Sequence, residues 1–189
     1  MATSELINKG QVIWLTGLSG AGKTTLAERL CAFLRQKSDA VVLLDGDVMR
    51  AMFAQDQMDG RHHDRDARLA LALKYSQLCK MLSEQGITVV IATISLFHDV
   101  HRWNRHHLRN YLEIYLKVPI AELQRRDPKG LYQKFARGET RQMAGLDLAI
   151  EEPEAPDLLL EYQDGVTVED CFRQIIQTLA TRQSHKEHA

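Results

Sequence analysis

The run Gly17-Leu18-Ser19-Gly20-Ala21-Gly22-Lys23-Thr24 has the spacing G-x-x-x-x-G-K-T, and it narrows the fold more than any other part of the chain. That spacing belongs to a loop that wraps phosphates. Its glycines let backbone N–H groups turn towards phosphate oxygens. Lys23 reaches the β- and γ-phosphates as a point charge, and the Thr24 hydroxyl is placed to ligate Mg²⁺. Such a loop needs a buried strand before it and a helix after it. Val12-Ile13-Trp14-Leu15 reads as the strand. Thr24 to Lys37 reads as the helix, with Leu26, Leu30, Phe33 and Leu34 on one face. Its N-terminus points a dipole at the phosphates.

Four further strands are expected at Val41–Leu44, Thr88–Ile94, Tyr111–Lys117 and Leu158–Leu160. Their apolar runs lack strict alternation, as in strands covered on both faces. Helices are expected between them. Asp66 to Gln85 carries Leu71, Tyr75, Leu78 and Leu82 in one stripe and stops at Gly86. His98 to Arg109, a segment opened by Pro119, and Thr167 to Leu179 follow. Strands alternating with helices point to an α/β fold on a mostly parallel five-stranded sheet, with helices on both faces. Ligands in such sheets sit at the carboxyl ends of the strands. The glycine loop and Asp45-Gly46-Asp47 both fall at such ends.

A chain of 189 residues suits a single domain over residues 1–189 with a small lid at roughly 127–150. The polar end, 181–189, is expected to fray. A net charge of −1 argues against a nucleic-acid or membrane-surface partner. Cys31, Cys79 and Cys171 form no C-x-x-C pair and read as packing residues of a reducing compartment. No apolar stretch approaches the length of a membrane span, and Met1 to Lys9 lacks a signal pattern. These readings together suggest a cytoplasmic protein.

Several polar positions admit more than one reading. Asp45 and Asp47 could hold Mg²⁺ and take a proton from an attacking hydroxyl, or form an ordinary strand-to-helix turn with Asp47 as the cap. Arg50 could meet an anionic substrate or sit in solvent. Ser95 could bind substrate or begin a turn. The segment from His98 to Arg109 could face an anion with Trp103 stacking, hold a metal through His98 and His101, or be a solvated helix. Asp127-Pro128-Lys129-Gly130 with Lys134 and Arg137 could be a lid carrying cations, or a plain surface segment.

The chain also resembles the adenylyl-sulfate kinase family. The resemblance rests on Gly17 to Thr25, on Leu44-Asp45-Gly46-Asp47-Val48-Met49-Arg50, on Ile94-Ser95, and on a long block from Arg126. That block reads Arg126-Asp127-Pro128-Lys129-Gly130-Leu131-Tyr132, then Ala136-Arg137-Gly138-Glu139, Gly145-Leu146-Asp147, Glu152-Pro153 and Pro156-Asp157-Leu158. It covers roughly residues 10 to 180. It implies a P-loop NTPase three-layer sandwich, transfer of the ATP γ-phosphoryl group to a ribose 3′-hydroxyl, a small-molecule nucleotide acceptor, and often a homodimer. It implies ATP contacts at Gly17, Leu18, Ser19, Gly20, Ala21, Gly22, Lys23, Thr24 and Thr25, with Arg126 against the adenine. Mg²⁺ would sit at Thr24 and Asp45, directly or through water. Catalytic roles fall to Lys23, Asp47 and Ser95, and acceptor contacts to Asp47, Arg50, Phe97, Lys129 and Met143. Direct in-line transfer needs only positioning and charge, so phosphorylation of Ser95 is not expected.

The departures from the family lie on the acceptor side. Ala54 to His63 replaces a stretch that usually holds Gly-Leu-Asn and a phenylalanine. Arg68-Leu69-Ala70-Leu71 stands for Asn-Ile-Arg-Arg, Met143 for a stacking phenylalanine, and Leu96-Phe97-His98 for a proline with an aromatic–arginine pair. Adenylyl sulfate is the acceptor the family implies. The segment from Ser95 through Trp103-Asn104-Arg105 to Leu116 is similar to a branch found with surface-polysaccharide genes, where cytidine diphosphoramidate is phosphorylated. A pyrimidine stacks less, which suits a site without two phenylalanines. A regulatory phosphate-loop switch without an acceptor is the alternative of another class. A nucleic-acid-end kinase would need a basic channel.

Overall fold

Strands that are apolar along their whole length need cover on both faces, and the helices supply it. The computed structural model describes residues 10–37, 40–53 and 65–187. Its sheet holds β1 (Val12–Gly17), β2 (Val41–Asp45), β3 (Thr88–Thr93), β4 (Tyr111–Lys117) and β5 (Leu158–Glu161). The order is β2-β3-β1-β4-β5, and every pair is parallel. The helices are α1 (Lys23–Arg35), α2 (Gly46–Phe53), α3 (Arg65–Glu84), α4 (His98–His107), α5 (Ile120–Arg126), α6 (Leu131–Ala136) and α7 (Val168–Glu187).

Period-two alternation divides the core into two halves. Ile13 and Leu15 of β1 face one side, where they join Leu26 and Leu30 of α1 and Phe172, Ile175 and Leu179 of α7. Val12 and Trp14 face the other, with Met49 of α2, Tyr75 and Cys79 of α3, and Val100 of α4. Ile13, Trp14 and Leu15 are fully buried, and each such side chain contributes about 1.5–3 kcal/mol. No helix among the described residues is long and apolar enough to cross a membrane.

One expectation needs correction. α7 runs through Glu187, so the segment from Thr181 that was expected to fray is helical in this structure. Thr178 and Thr181 each donate from their hydroxyls to a carbonyl one turn back, a local bond that competes with the helix rather than strengthening it. One reading of the turn after β2 was the entry to a helix capped by Asp47, and α2 starts there, directly at Gly46. Its cap is Asp45 and not Asp47: Asp45 Oδ1 accepts from the backbone of Asp47 at 2.9 Å and of Val48 at 3.2 Å. Residues Ala54 to His63, read above as a departure from the family, lie outside the described residues, as does Met1 to Lys9.

The histidine- and arginine-rich segment is resolved into a structural role. His101 of α4 is buried, and its Nδ1 donates to Glu113 Oε1 at 2.6 Å. Glu113 lies in β4 and is 2% exposed. Tyr111 Oη donates to the same oxygen at 2.9 Å, and Arg105 Nη2 to the other at 3.1 Å. Arg105 also reaches Asp157 Oδ2 at 2.7 Å, just before β5. Burial alone would push the Glu113 carboxyl up, but His101, Tyr111 and Arg105 outweigh it and hold it below its usual value. Trp103 stacks on His107, with centroids 4.4 Å apart. Among the described residues no group of three or more His, Cys, Asp or Glu could hold a metal.

Replacing Glu113 by Gln leaves donors from three residues around a weaker acceptor. The expected loss is about 3 kcal/mol in urea unfolding at neutral pH. Because the folded carboxyl is depressed, its stabilising term is present above the unfolded value of 4.5 and lost as pH falls through the folded value. The variant should therefore lose less stability than the parent on acidification in that range.

Candidate nucleotide site

At the carboxyl edge of the sheet the chain leaves β1, turns through the glycine loop and enters α1. Gly17 must be glycine: its φ is +146°, and a Cβ there would stand 2.5 Å from the Leu116 carbonyl oxygen. Gly22 ends the turn in the left-handed region, φ +96°, and its carbonyl accepts from Leu26 N at 3.1 Å to begin α1. Lys23 Nζ lies across the loop and donates to the Leu18 carbonyl at 2.8 Å. The lid segment braces the loop from outside. Tyr132 Oη of α6 donates to the Ser19 carbonyl at 3.0 Å. Asp127 caps α6, accepting from the backbone of Tyr132 at 3.1 Å and of Gln133 at 3.0 Å.

This loop forms one wall of an open cavity. Facing it are Asp45, Asp47 and Arg50 from the β2–α2 junction and Lys129 from the lid segment. Ser19, Gly20, Gly22, Thr24 and Thr25 also line it, whereas Gly17, Leu18 and Ala21 are buried beneath. Thr24 Oγ1 donates to Asp45 Oδ2 at 3.0 Å, so the two expected metal ligands already touch. A hydroxyl and a carboxylate are hard oxygen donors, and two protein ligands suit Mg²⁺, which keeps waters and phosphate oxygens for the rest. The donor set fits that ion.

The electrostatics of the cavity are paired. Burial pushes the Lys23 ammonium down to about 8, against the pull of Asp47 and Asp45. Burial works against ionisation of Asp47 too, but the hydrogen bond and charge of Lys129, with Arg50 and Lys23, outweigh it. Asp47 is thus held below its usual value as a carboxylate, in an ion pair with Lys129.

A second cavity opens beside the first. The two share Arg50, Thr93 and Ile94. The second is a narrow cleft of about 40 Å³, room for a few waters and smaller than an open small-molecule site. Phe97 and Ser95 line it, and the Ser95 hydroxyl pairs with that of Thr93 at 2.9 Å. Leu71, Leu148 and Ile150 make it largely aliphatic. Arg68 enters from α3, its Nη2 donating to the Gln142 carbonyl at 2.7 Å.

Two expected contacts lie apart from both cavities. Met143 is partly buried against the core half that contains Ile13 and Leu15, and its neighbour Ala144 lines the second cavity instead. Arg126 ends α5, donates to Glu122 Oε1 at 2.6 Å and stacks 5.0 Å from the Tyr162 ring centroid. Neither it nor Trp103 lines the phosphate cavity or its neighbour. Sequence reasoning set Arg68 on the acceptor side without a role and read Tyr75 only as part of an apolar stripe, whereas both line the second cavity. Their signal was present: 68, 71 and 75 are spaced i, i+3, i+7, which puts them on one face of α3.

Comparison with known proteins matches this geometry to a family. A family model described as adenylylsulphate kinase matches residues 9–161. A cytidine diphosphoramidate kinase of Campylobacter jejuni is 38% identical over 173 residues, covering 92% of this chain and 98% of its own. A probable adenylyl-sulfate kinase of Aeropyrum pernix is 35% identical over 169 residues, covering 87% of this chain and 90% of its own. The Mycobacterium tuberculosis APS kinase, solved with AMPPNP and APS, superposes with a TM-score of 0.77 at 28% identity, covering 92% of this chain and 99% of its own.

A lysine held near 8 makes the phosphate cavity sensitive to pH. Bound phosphate favours the charged ammonium, so affinity for a nucleoside triphosphate should be greatest below that value and fall above it. Calorimetric titration with ATP should show affinity falling by up to about tenfold per unit above pH ~8, with protons taken up on binding. Lys23→Met should bind weakly throughout, with a nearly flat profile.

Proposed function

As the chain belongs to the adenylyl-sulfate kinase family, we propose that it transfers the γ-phosphoryl group of ATP to the ribose 3′-hydroxyl of a nucleotide anhydride, cytidine diphosphoramidate. That it is a nucleotide kinase follows from the family. The observation that carries the transfer reading is the meeting of two cavities at Arg50, one lined by phosphate-binding residues and the other by aliphatic side chains and Phe97.

The residues divide the work as follows. The loop amides and Lys23 hold the β- and γ-phosphates and take up charge as it shifts to the leaving oxygen. Thr24 and Asp45 would hold Mg²⁺, which when bound draws charge from the phosphates. Asp47, kept as a carboxylate, orients the 3′-hydroxyl and accepts its proton. The hydroxyl oxygen then bonds to the γ-phosphorus as the bond to the β–γ bridging oxygen breaks, and ADP leaves. Lys129 pairs with Asp47 and so places a cation beside the transferred group. Arg50, at the junction, suits the negative anhydride of the acceptor. Arg126, with Tyr162, is proposed as the platform for the adenine of ATP.

The cytidine acceptor is supported by the Campylobacter relative and by a second cavity with a single phenylalanine among its lining residues. Adenylyl sulfate is the second reading, supported by the other relatives and by the mycobacterial complex. A coupled assay of ADP release with both acceptors separates them. Higher kcat/KM with cytidine diphosphoramidate is expected. A preference for adenylyl sulfate would favour the second reading, and ADP release independent of acceptor would overturn both. Asp47→Asn should lower kcat by about 10²- to 10⁴-fold with the KM for ATP little changed. Equal loss of ATP binding would make Asp47 a structural residue.

A further inference from the structure

The second cavity contains a polar group that the roles above leave unused. Tyr75 of α3 is 3% exposed and lines the cavity. Its hydroxyl is buried and has no hydrogen-bond partner among the described residues. The ring is held at its side by Phe53, with centroids 6.1 Å apart. Two other polar groups of the cavity are engaged: the Ser95 hydroxyl with Thr93, and Arg68 with the Gln142 carbonyl. A buried hydroxyl without a partner carries a desolvation cost, and a phenylalanine would pack the same ring without it.

Resting on the kinase reading, we propose that Tyr75 is a specificity-determining residue, its hydroxyl hydrogen bonding to the polar edge of the acceptor's heterocycle. The placement of charge argues for the heterocycle rather than the anhydride. Arg50 and Arg68 are the cationic groups of this cavity and suit the negative anhydride. Leu71, Leu148 and Ile150 form the aliphatic remainder. A flat ring entering beside Phe97 would have to widen this cleft, and Tyr75 would then supply a polar contact for its edge. Burial raises the phenol to about 12, with Arg50 and Asp47 the charged groups that act on it, so the hydroxyl keeps its proton and donates at neutral pH. A site that offers a buried donor rejects an analogue unable to use it, which turns one hydroxyl into a selectivity element.

The test compares the full-length protein with Tyr75→Phe, using cytidine diphosphoramidate and adenylyl sulfate as acceptors. The KM for the preferred acceptor should rise about tenfold, with the KM for ATP and kcat within about twofold of the parent. The melting temperature should be unchanged or higher, because the deleted hydroxyl leaves no protein group unpaired. An unchanged acceptor KM would overturn the assignment and leave the kinase reading intact. A fall of several degrees in melting temperature would also overturn it, because the hydroxyl would then serve the fold. Should the parent itself turn over neither acceptor, the kinase reading fails first, and the role of Tyr75 falls with it.

Discussion

The site depends on the register of a parallel sheet. Leu15, Asp45 and Ala92 stand in one row across β1, β2 and β3, and Thr16, Thr93 and Tyr115 pair in the next row across β1, β3 and β4. Parallel strands bring their carboxyl ends to one edge, so the glycine loop, the Asp45–Asp47 junction and Ser95 emerge side by side although they are far apart in sequence. A slip of one residue would turn Trp14 into the α1 side and Leu15 into the α3 side. The two apolar layers forbid that, since each face is already filled by its own helices. Packing, which carries no chemistry itself, therefore fixes where the chemistry occurs.

Within that frame, charge is arranged in opposed pairs. Lys23 is destabilised by burial and Asp47 is stabilised as an anion by the cations around it. Both states favour a phosphoryl-transfer site: an ammonium that gains from meeting phosphate, and a carboxylate free of its proton. The Glu113 cluster uses the same physics for a different end. It joins α4 to β4 and, through Asp157, to the entry of β5. Cations that seemed available to substrate are instead committed to the fold.

The parts legible in the sequence are those with local causes. The strand–loop–helix unit, the stripe of α3 with its glycine stop and the strand at Tyr111–Lys117 each follow from neighbouring residues, and all appear in the structure. The strand–turn–helix form of the glycine loop was legible for the same reason, because backbone geometry and spacing encode it. Long-range pairing was not. Glu113 looked like a polar neighbour in a mixed strand, and only the approach of α4 explains it. His101 and Arg105 lie one turn apart, which was a signal for a shared anion. Tyr75 read as one more member of an apolar stripe, because its ring packs like one, and the cavity it lines is defined by no single segment. Met143 was assigned by analogy to an acceptor contact, while the lid residues bring Ala144 to that cavity instead.

The central claim is that two joined cavities align a triphosphate with a ribose hydroxyl, and the position of the new phosphorus tests it most directly. ³¹P NMR of the product formed from ATP and the preferred acceptor should show a new phosphomonoester coupled to the ribose 3′ proton, with the acceptor's anhydride resonances retained. A new anhydride phosphorus at the 5′ end, or inorganic phosphate alone, would contradict the account.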